Sequence, residues 1–166
     1  MTKSTMALIS VVIVVGFAGL AVRSWLRRKS QQSASFSRPL EALEFFGEQL
    51  CEANGFYVAT TYAQNLLERI AAYGLGARGH AKVFVFTEGI LIVRTGEVPL
   101  AIDKASIIRV GTNQVVIDRA VEPGGLISIE WQHEQSQLAT HLRIVDEKQR
   151  RAILNSLMSI TGEATK

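Results

Sequence analysis

The 166-residue sequence has one cysteine, three histidines and three prolines. A lone Cys51 cannot close an internal disulfide, and it has no second thiol with which to hold zinc. His80, His133 and His141 lack the close spacing of a ligand pair, so neither a metal nor any other cofactor is expected. Few prolines and 48% hydrophobic residues exclude a collagen-like or wholly disordered chain. No GxSxG and no P-loop occurs. Gly74, Gly76 and Gly79 spell GxGxxG, but they precede a β-rich stretch instead of opening a helix. A dinucleotide needs that helix N-terminus for its pyrophosphate. The carboxylates are scattered, with no acid–base pair, so no enzyme is expected.

Acid is missing from the first thirty residues, which hold Lys3, Arg23, Arg27, Arg28 and Lys29. The remainder holds 13 basic and 15 acidic residues, so the basic character belongs to the N-terminus. It gives no reason to expect nucleic acid as a partner. Met6–Val22 (MALISVVIVVGFAGLAV) is seventeen residues without a charge. As a helix it spans roughly 25 Å. Trp25 and Leu26 lengthen it, and Arg23 snorkels toward headgroups, approaching the ~30 Å of a bilayer core. A transmembrane helix is expected over 6–26, after a short extracytoplasmic N-terminus, 1–5. A cleaved signal would carry its basic cluster before the apolar run, not after it.

Arg23, Arg27, Arg28 and Lys29 follow the span while only Lys3 precedes it. Basic residues resist translocation, so the expected topology is single-pass in the plasma membrane, N-terminus out and the rest cytoplasmic. With Trp25 these residues form the expected interfacial anchor. The lipid bilayer is the first expected partner. Gly16 and Gly19 permit close approach of two spans, yet no strict GxxxG specifies a homodimer.

Residues 27–39, with the Ser-rich SQQSASFSRP, read as a flexible linker. Residues 40–53 read as an amphipathic helix, with Leu40, Leu43, Phe46 and Leu50 opposite Glu41, Glu44 and Glu48. It either packs on the following domain or meets a partner or the membrane. From residue 54 the pattern becomes β: Phe56–Tyr62, His80–Phe86, Ile90–Arg94, Val98–Ile102, Ile107–Val110, Val115–Asp118, Leu126–Trp131 and Leu138–Val145, separated by turns such as Glu122–Gly125. Asn65–Ala72 reads as a helical turn or irregular excursion. Asp146, with Gln149 three residues on, resembles a capping box, and Gly162 ends the helix. Ile153, Leu157 and Ile160 form its apolar stripe. The expected fold over 54–162 is mainly β and PH-like: seven or so antiparallel strands in a curled sheet or partly open barrel, capped by a C-terminal helix.

The segments Tyr57–Thr61, Leu67–Gly79, Glu88–Ile90 and Gly124–Trp131, together with the anchor layout, resemble an actinobacterial family of small single-span membrane proteins with a PH-like domain. The run RIAAYGLGARG is the most specific part. Some members are labelled export or transport proteins, but one span cannot form a transporter. The resemblance implies fold and location, not activity.

Arg78, Lys82 and Arg94 are the candidate contacts for a lipid headgroup or a partner. Ile90–Val93 supplies no further basic residue, and a mildly acidic domain disfavours anionic lipid. The expected function is therefore a protein-interaction or scaffold module bound to a membrane-associated or cytosolic protein through a strand edge or helix face. The alternative is a sensor of anionic lipid headgroups.

Overall fold

A computed structural model describes residues 3–35, 37–42, 44, 46–113, 115–116, 119–120 and 125–162. Its first element is a helix, α1 (Lys3–Ser35), 33 residues long. The described side chains from Val11 to Val22 are exposed on every side of it. Among the described residues, no helix is long and apolar enough to cross a membrane.

The expected flexible linker over 27–39 is corrected by α1, which continues to Ser35. SQQSAS contains no proline or glycine to stop a helix. Pro39 is the first residue that does, and it disfavours helix in the residue before it.

The expected helix over 40–53 is also absent among the described residues of that range. A 14-residue strand, β1 (Gln49–Tyr62), occupies its second half. Gly47 has φ +72°, outside the helical region, where its neighbours bond to the next turn. Thr87 N–H donates to the Glu48 carbonyl (3.0 Å) and Glu48 N–H to Thr87 Oγ1 (3.2 Å). Phe46 meets Phe86 with ring centroids 4.8 Å apart. The spacing of Leu40, Phe46 and Leu50 matches a helix, but pairing with a distant strand overrides it. The domain therefore begins before the expected residue 54.

After β1 come β2 (Asn65–Arg69), a 3₁₀ turn at Ala72–Gly74, β3 (Gly79–Phe86), β4 (Gly89–Arg94) and β5 (Leu100–Asp103). A second 3₁₀ turn at Lys104–Ser106 leads to β6 (Ile107–Asn113). Then follow β7 (Val115–Val116), β8 (Arg119–Ala120), β9 (Leu126–His133), β10 (Ser136–Arg143) and α2 (Glu147–Thr161). Asn65–Arg69 thus adds a strand where an irregular excursion was expected. Residues 122–124 of the expected Glu122–Gly125 turn lie outside the described residues.

The antiparallel sheet runs β5-β4-β3-β1-β10-β9-β6, with β2 beside β1. Strand β1 belongs to both halves. Gln49–Tyr57 pairs with β3, and Phe56–Tyr62 pairs with β10. That sharing curls the sheet. Gly55 sits at the crossing, where an added Cβ would lie 2.6 Å from the Arg143 carbonyl oxygen. Strands β5 and β6 are the ends of the pairing order, so the barrel is partly open, as expected.

Tyr57, Ile92, Ile102, Ile129, Leu138 and Leu142 fill the interior, and Ile153, Leu157 and Ile160 of α2 close it. Each buried aliphatic side chain contributes about 1.5–3 kcal/mol. Asp146 caps α2 by accepting from Gln149 N–H (2.8 Å), and Gly162 ends it at φ +74°. Gln149 Oε1 does not complete the box. It accepts from Asn54 N–H of β1 (3.3 Å), tying the start of α2 to the sheet.

Candidate functional site

The sheet register decides which side chains meet on its outer surface. Phe56 stands opposite His80, and Lys82 stands opposite both Asn54 and Val93. Residues directly opposite share a face, as do alternate residues of one strand. Phe56, His80, Lys82 and Val93 therefore emerge together. Val145 and Asp146, at the start of α2, complete the far wall. They bound an open groove of about 800 Å³.

Its surface sets apolar Phe56, Val93 and Val145 beside the polar side chains of His80, Lys82, Thr95 and Asp146. Phe56, Val93 and Val145 are all exposed, Val145 to 63%. The Phe56 and His80 rings meet at 4.2 Å. Lys82 is paired with Glu52 (Nζ–Oε1 3.0 Å) and lies 4.9 Å from the Phe84 ring centroid. The Asp146 carboxylate is held by its cap.

Of the three expected contacts, Lys82 and Arg94 border the groove and Arg78 does not. Arg78 is exposed in the loop before β3, and Lys82 lines the groove with its charge matched. Arg94 is 5% exposed and points inward, on the opposite face from Val93. Its Nη1 donates to the Gly74 carbonyl (2.7 Å). Its Nη2 and Nε donate to the Val98 carbonyl (2.7 and 3.2 Å). Arg94 borders the groove, but its guanidinium clamps two loops together. The anchor residues Arg23, Trp25, Arg27, Arg28 and Lys29 all lie on α1, with Arg23 and Arg27 exposed. The side chains of the other three lie outside the described residues.

Behind the groove a polar network is sealed from water. Tyr57 hydroxyl donates to the Leu75 carbonyl (2.8 Å) and lies 2.5 Å from Thr60 Oγ1. Thr60 Oγ1 is 2.8 Å from Thr140 Oγ1, which accepts from Trp131 Nε1 (3.0 Å). Burial pushes the Tyr57 hydroxyl up to about 12. His141 is fully buried, 3.1 Å from Thr61 Oγ1, and burial pushes it down to about 4. Burial also raises the Cys51 thiol, which bonds Ser156 Oγ (3.2 Å). Among the described residues no three His, Cys, Asp or Glu side chains are grouped to hold a metal. The Gly74–Gly79 run opens no helix; it leads into β3.

Sequence reasoning missed Phe56, Val93 and Val145 as a group. One signal was available: the wholly apolar run Ile90–Val93 must turn alternate side chains outward.

The family model described as "Bacterial PH domain-like" matches residues 38–158. No curated protein matches the chain. A chain of the 8S snRNP assembly intermediate is similar with a TM-score of 0.51 and 11% identity, over 79% of this chain and 91% of that one. The Vav1 exchange factor with its PH and C1 domains gives 0.43 and 10%, over 84% of this chain and 33% of that one. The DH/PH domains of p115-RhoGEF give 0.44 and 12%, over 89% and 42%. At these identities the likeness is one of fold.

Proposed function

Starting from a chain that belongs to the bacterial PH domain-like family, we propose that it is a membrane-anchored binding module. Its outer groove takes an extended, apolar segment of a partner protein. The single observation that carries this reading is the meeting of exposed Phe56 of β1, Val93 of β4 and Val145 of the loop before α2. Apolar side chains from a partner would be desolvated there without breaking an existing ion pair. The role is binding, with no chemical step.

The anchor is part of the same proposal. Seventeen uncharged residues fall short of the about twenty a span needs. Arg23, Trp25 and Leu26 are the residues that would make up the difference. The excess of Arg and Lys after the run supports a plasma-membrane protein with its domain in the cytoplasm. The sequence resemblance to single-span actinobacterial proteins points the same way. The headgroup-sensing alternative is weaker, because Arg94 is buried and Lys82 is paired.

The test is photo-crosslinking in cells, with a photoreactive residue at Val93 or Val145 and a control at exposed Ile108. Discrete protein adducts from the groove positions, lost on Phe56→Asp, are expected. Adducts equal at all three positions, or confined to lipid, would refute the reading.

A further inference from the structure

Residues 37–41, expected to be the end of a tether and the start of a helix, instead grip the domain. Ser37 N–H is aimed at both carboxylate oxygens of Glu134 (3.3 Å each). Ser37 carbonyl accepts from His133 Nε2 (2.9 Å). Pro39 is buried. The Leu40 carbonyl accepts from Ala101 N–H (2.8 Å), extending the sheet by one step beyond β5. The space left between this segment and the loops around Tyr73 and Val98 is about 10 Å³, no more than one water.

The strap begins two residues after α1 ends, and α1 itself touches the Ala72–Gly74 turn. Arg94 joins that turn to the loop at Val98. One rim of the domain therefore carries the end of α1, the Ala72–Gly74 turn, the loop before β5 and the β9–β10 turn. The β1–β2 turn joins it, since Ala63 N–H donates to Gln137 carbonyl (2.9 Å) at the start of β10. There the pairing jumps from Tyr62–Asn65 to Thr61–Arg69, so residues 66–68 bulge outward. An Asn65 Oδ1 bond to Leu67 N–H (3.2 Å) shapes the bulge. Leu67 at its tip is 68% exposed, the highest value among the domain's described large hydrophobics.

We propose that the strap at 37–41 holds the domain in one orientation beneath its anchor, and that the rim bearing Leu67 seats on the lipid interface. This rests on the reading of α1 as a membrane anchor. Glu68, Glu97 and Glu134 stand among Arg38, Arg69 and Arg78 in these loops, so the contact is apolar and not a headgroup-charge attraction. It accounts for an exposed leucine on the side where α1 arrives.

The test uses the full chain, with Cys51→Ser, reconstituted in phosphatidylcholine vesicles without and with phosphatidylglycerol. Nitroxide labels are placed singly at Leu67→Cys, at Asn155→Cys on the exposed side of α2, and at Val14→Cys. Lipid-soluble oxygen should relax the Leu67 label several-fold more than a water-soluble nickel complex does, in both vesicle types, with the reverse at Asn155. His133→Ala with Glu134→Ala should abolish the oxygen preference at Leu67 and leave Val14 unchanged. Water exposure at Leu67 with Val14 in lipid would overturn the rim contact alone. Water exposure at Val14 would overturn the anchor as well. A Leu67 preference that survives the double substitution would overturn the role of the strap.

Discussion

The Arg94 guanidinium lies over the Tyr57 ring, 4.8 Å from its centroid, and the loops that each side chain holds meet above them. Arg94 binds the carbonyls of Gly74 and Val98, while Tyr57 binds that of Leu75. Cation, ring and three carbonyls form one sealed unit, and both partners are buried. Arg94→Ala leaves the Val98 carbonyl without a donor and the Gly74 carbonyl with Ala77 N–H alone (3.0 Å), and should cost about 2–3 kcal/mol. Arg94→Lys, with no fork to reach both loops, should recover only part. Urea unfolding midpoints check both. A substitution that altered vesicle binding while leaving the midpoint unchanged would contradict the clamp.

Tyr57 predicts a loss of stability in alkali. Its hydroxyl is pushed from the ordinary 10 up to about 12, chiefly by burial. Between those values the unfolded chain has lost the proton and the folded chain keeps it, so stability falls as pH rises. The fall should reach about 3 kcal/mol near pH 12. Tyr57→Phe should lose roughly 1–2 kcal/mol at neutral pH with its hydrogen bonds. The same variant should flatten the alkaline decline, measured as the urea midpoint from pH 8 to 11.

His141 makes the opposite prediction in acid. Burial pushes it from the ordinary 6.5 down to about 4. The unfolded chain gains the proton first, so the stability is present above pH 6.5 and is lost as pH falls through 4. Up to about 3 kcal/mol is at stake. His141→Gln removes the titration. The difference between the wild-type and His141→Gln midpoints at pH 7 and pH 4.5 isolates it, since every other group is common to both chains. Equal acid sensitivity of the two chains would refute the assignment.

What could be foreseen from sequence follows from how local its causes are. The stripe Ile153, Leu157, Ile160, the Asp146 cap and the Gly162 stop depend on neighbours within a few residues, and the structure contains all of them. Leu138–Val145 alternates locally too, and Leu138, Leu142 and Ile144 do face the core. The start of the domain was not legible, because Gln49–Tyr57 is a strand on account of partners some thirty residues away in β3. The inward course of the Arg94 guanidinium was not legible for the same reason: Gly74, twenty residues back, takes it. The groove needs the registers of β1, β3 and β4 together with the start of α2, and no single segment encodes those.

Gly47 separates the helix expectation from the observed strand by sign alone. In the middle of a helix, glycine costs roughly 0.5–1 kcal/mol relative to alanine, so Gly47→Ala would stabilise the protein by that amount. In the structure Gly47 has φ +72°, and an added Cβ would run into Thr87 Oγ1. Thr87 cannot turn away without giving up its bond from Glu48 N–H. Left-handed backbone costs a non-glycine residue about 1–2 kcal/mol, and the displaced hydroxyl adds to that. Gly47→Ala should therefore destabilise the domain by about 1–3 kcal/mol, with Thr87→Ala in the same chain recovering part of the loss. A urea midpoint that rises on Gly47→Ala would restore the helix and remove the first half of β1 from the fold.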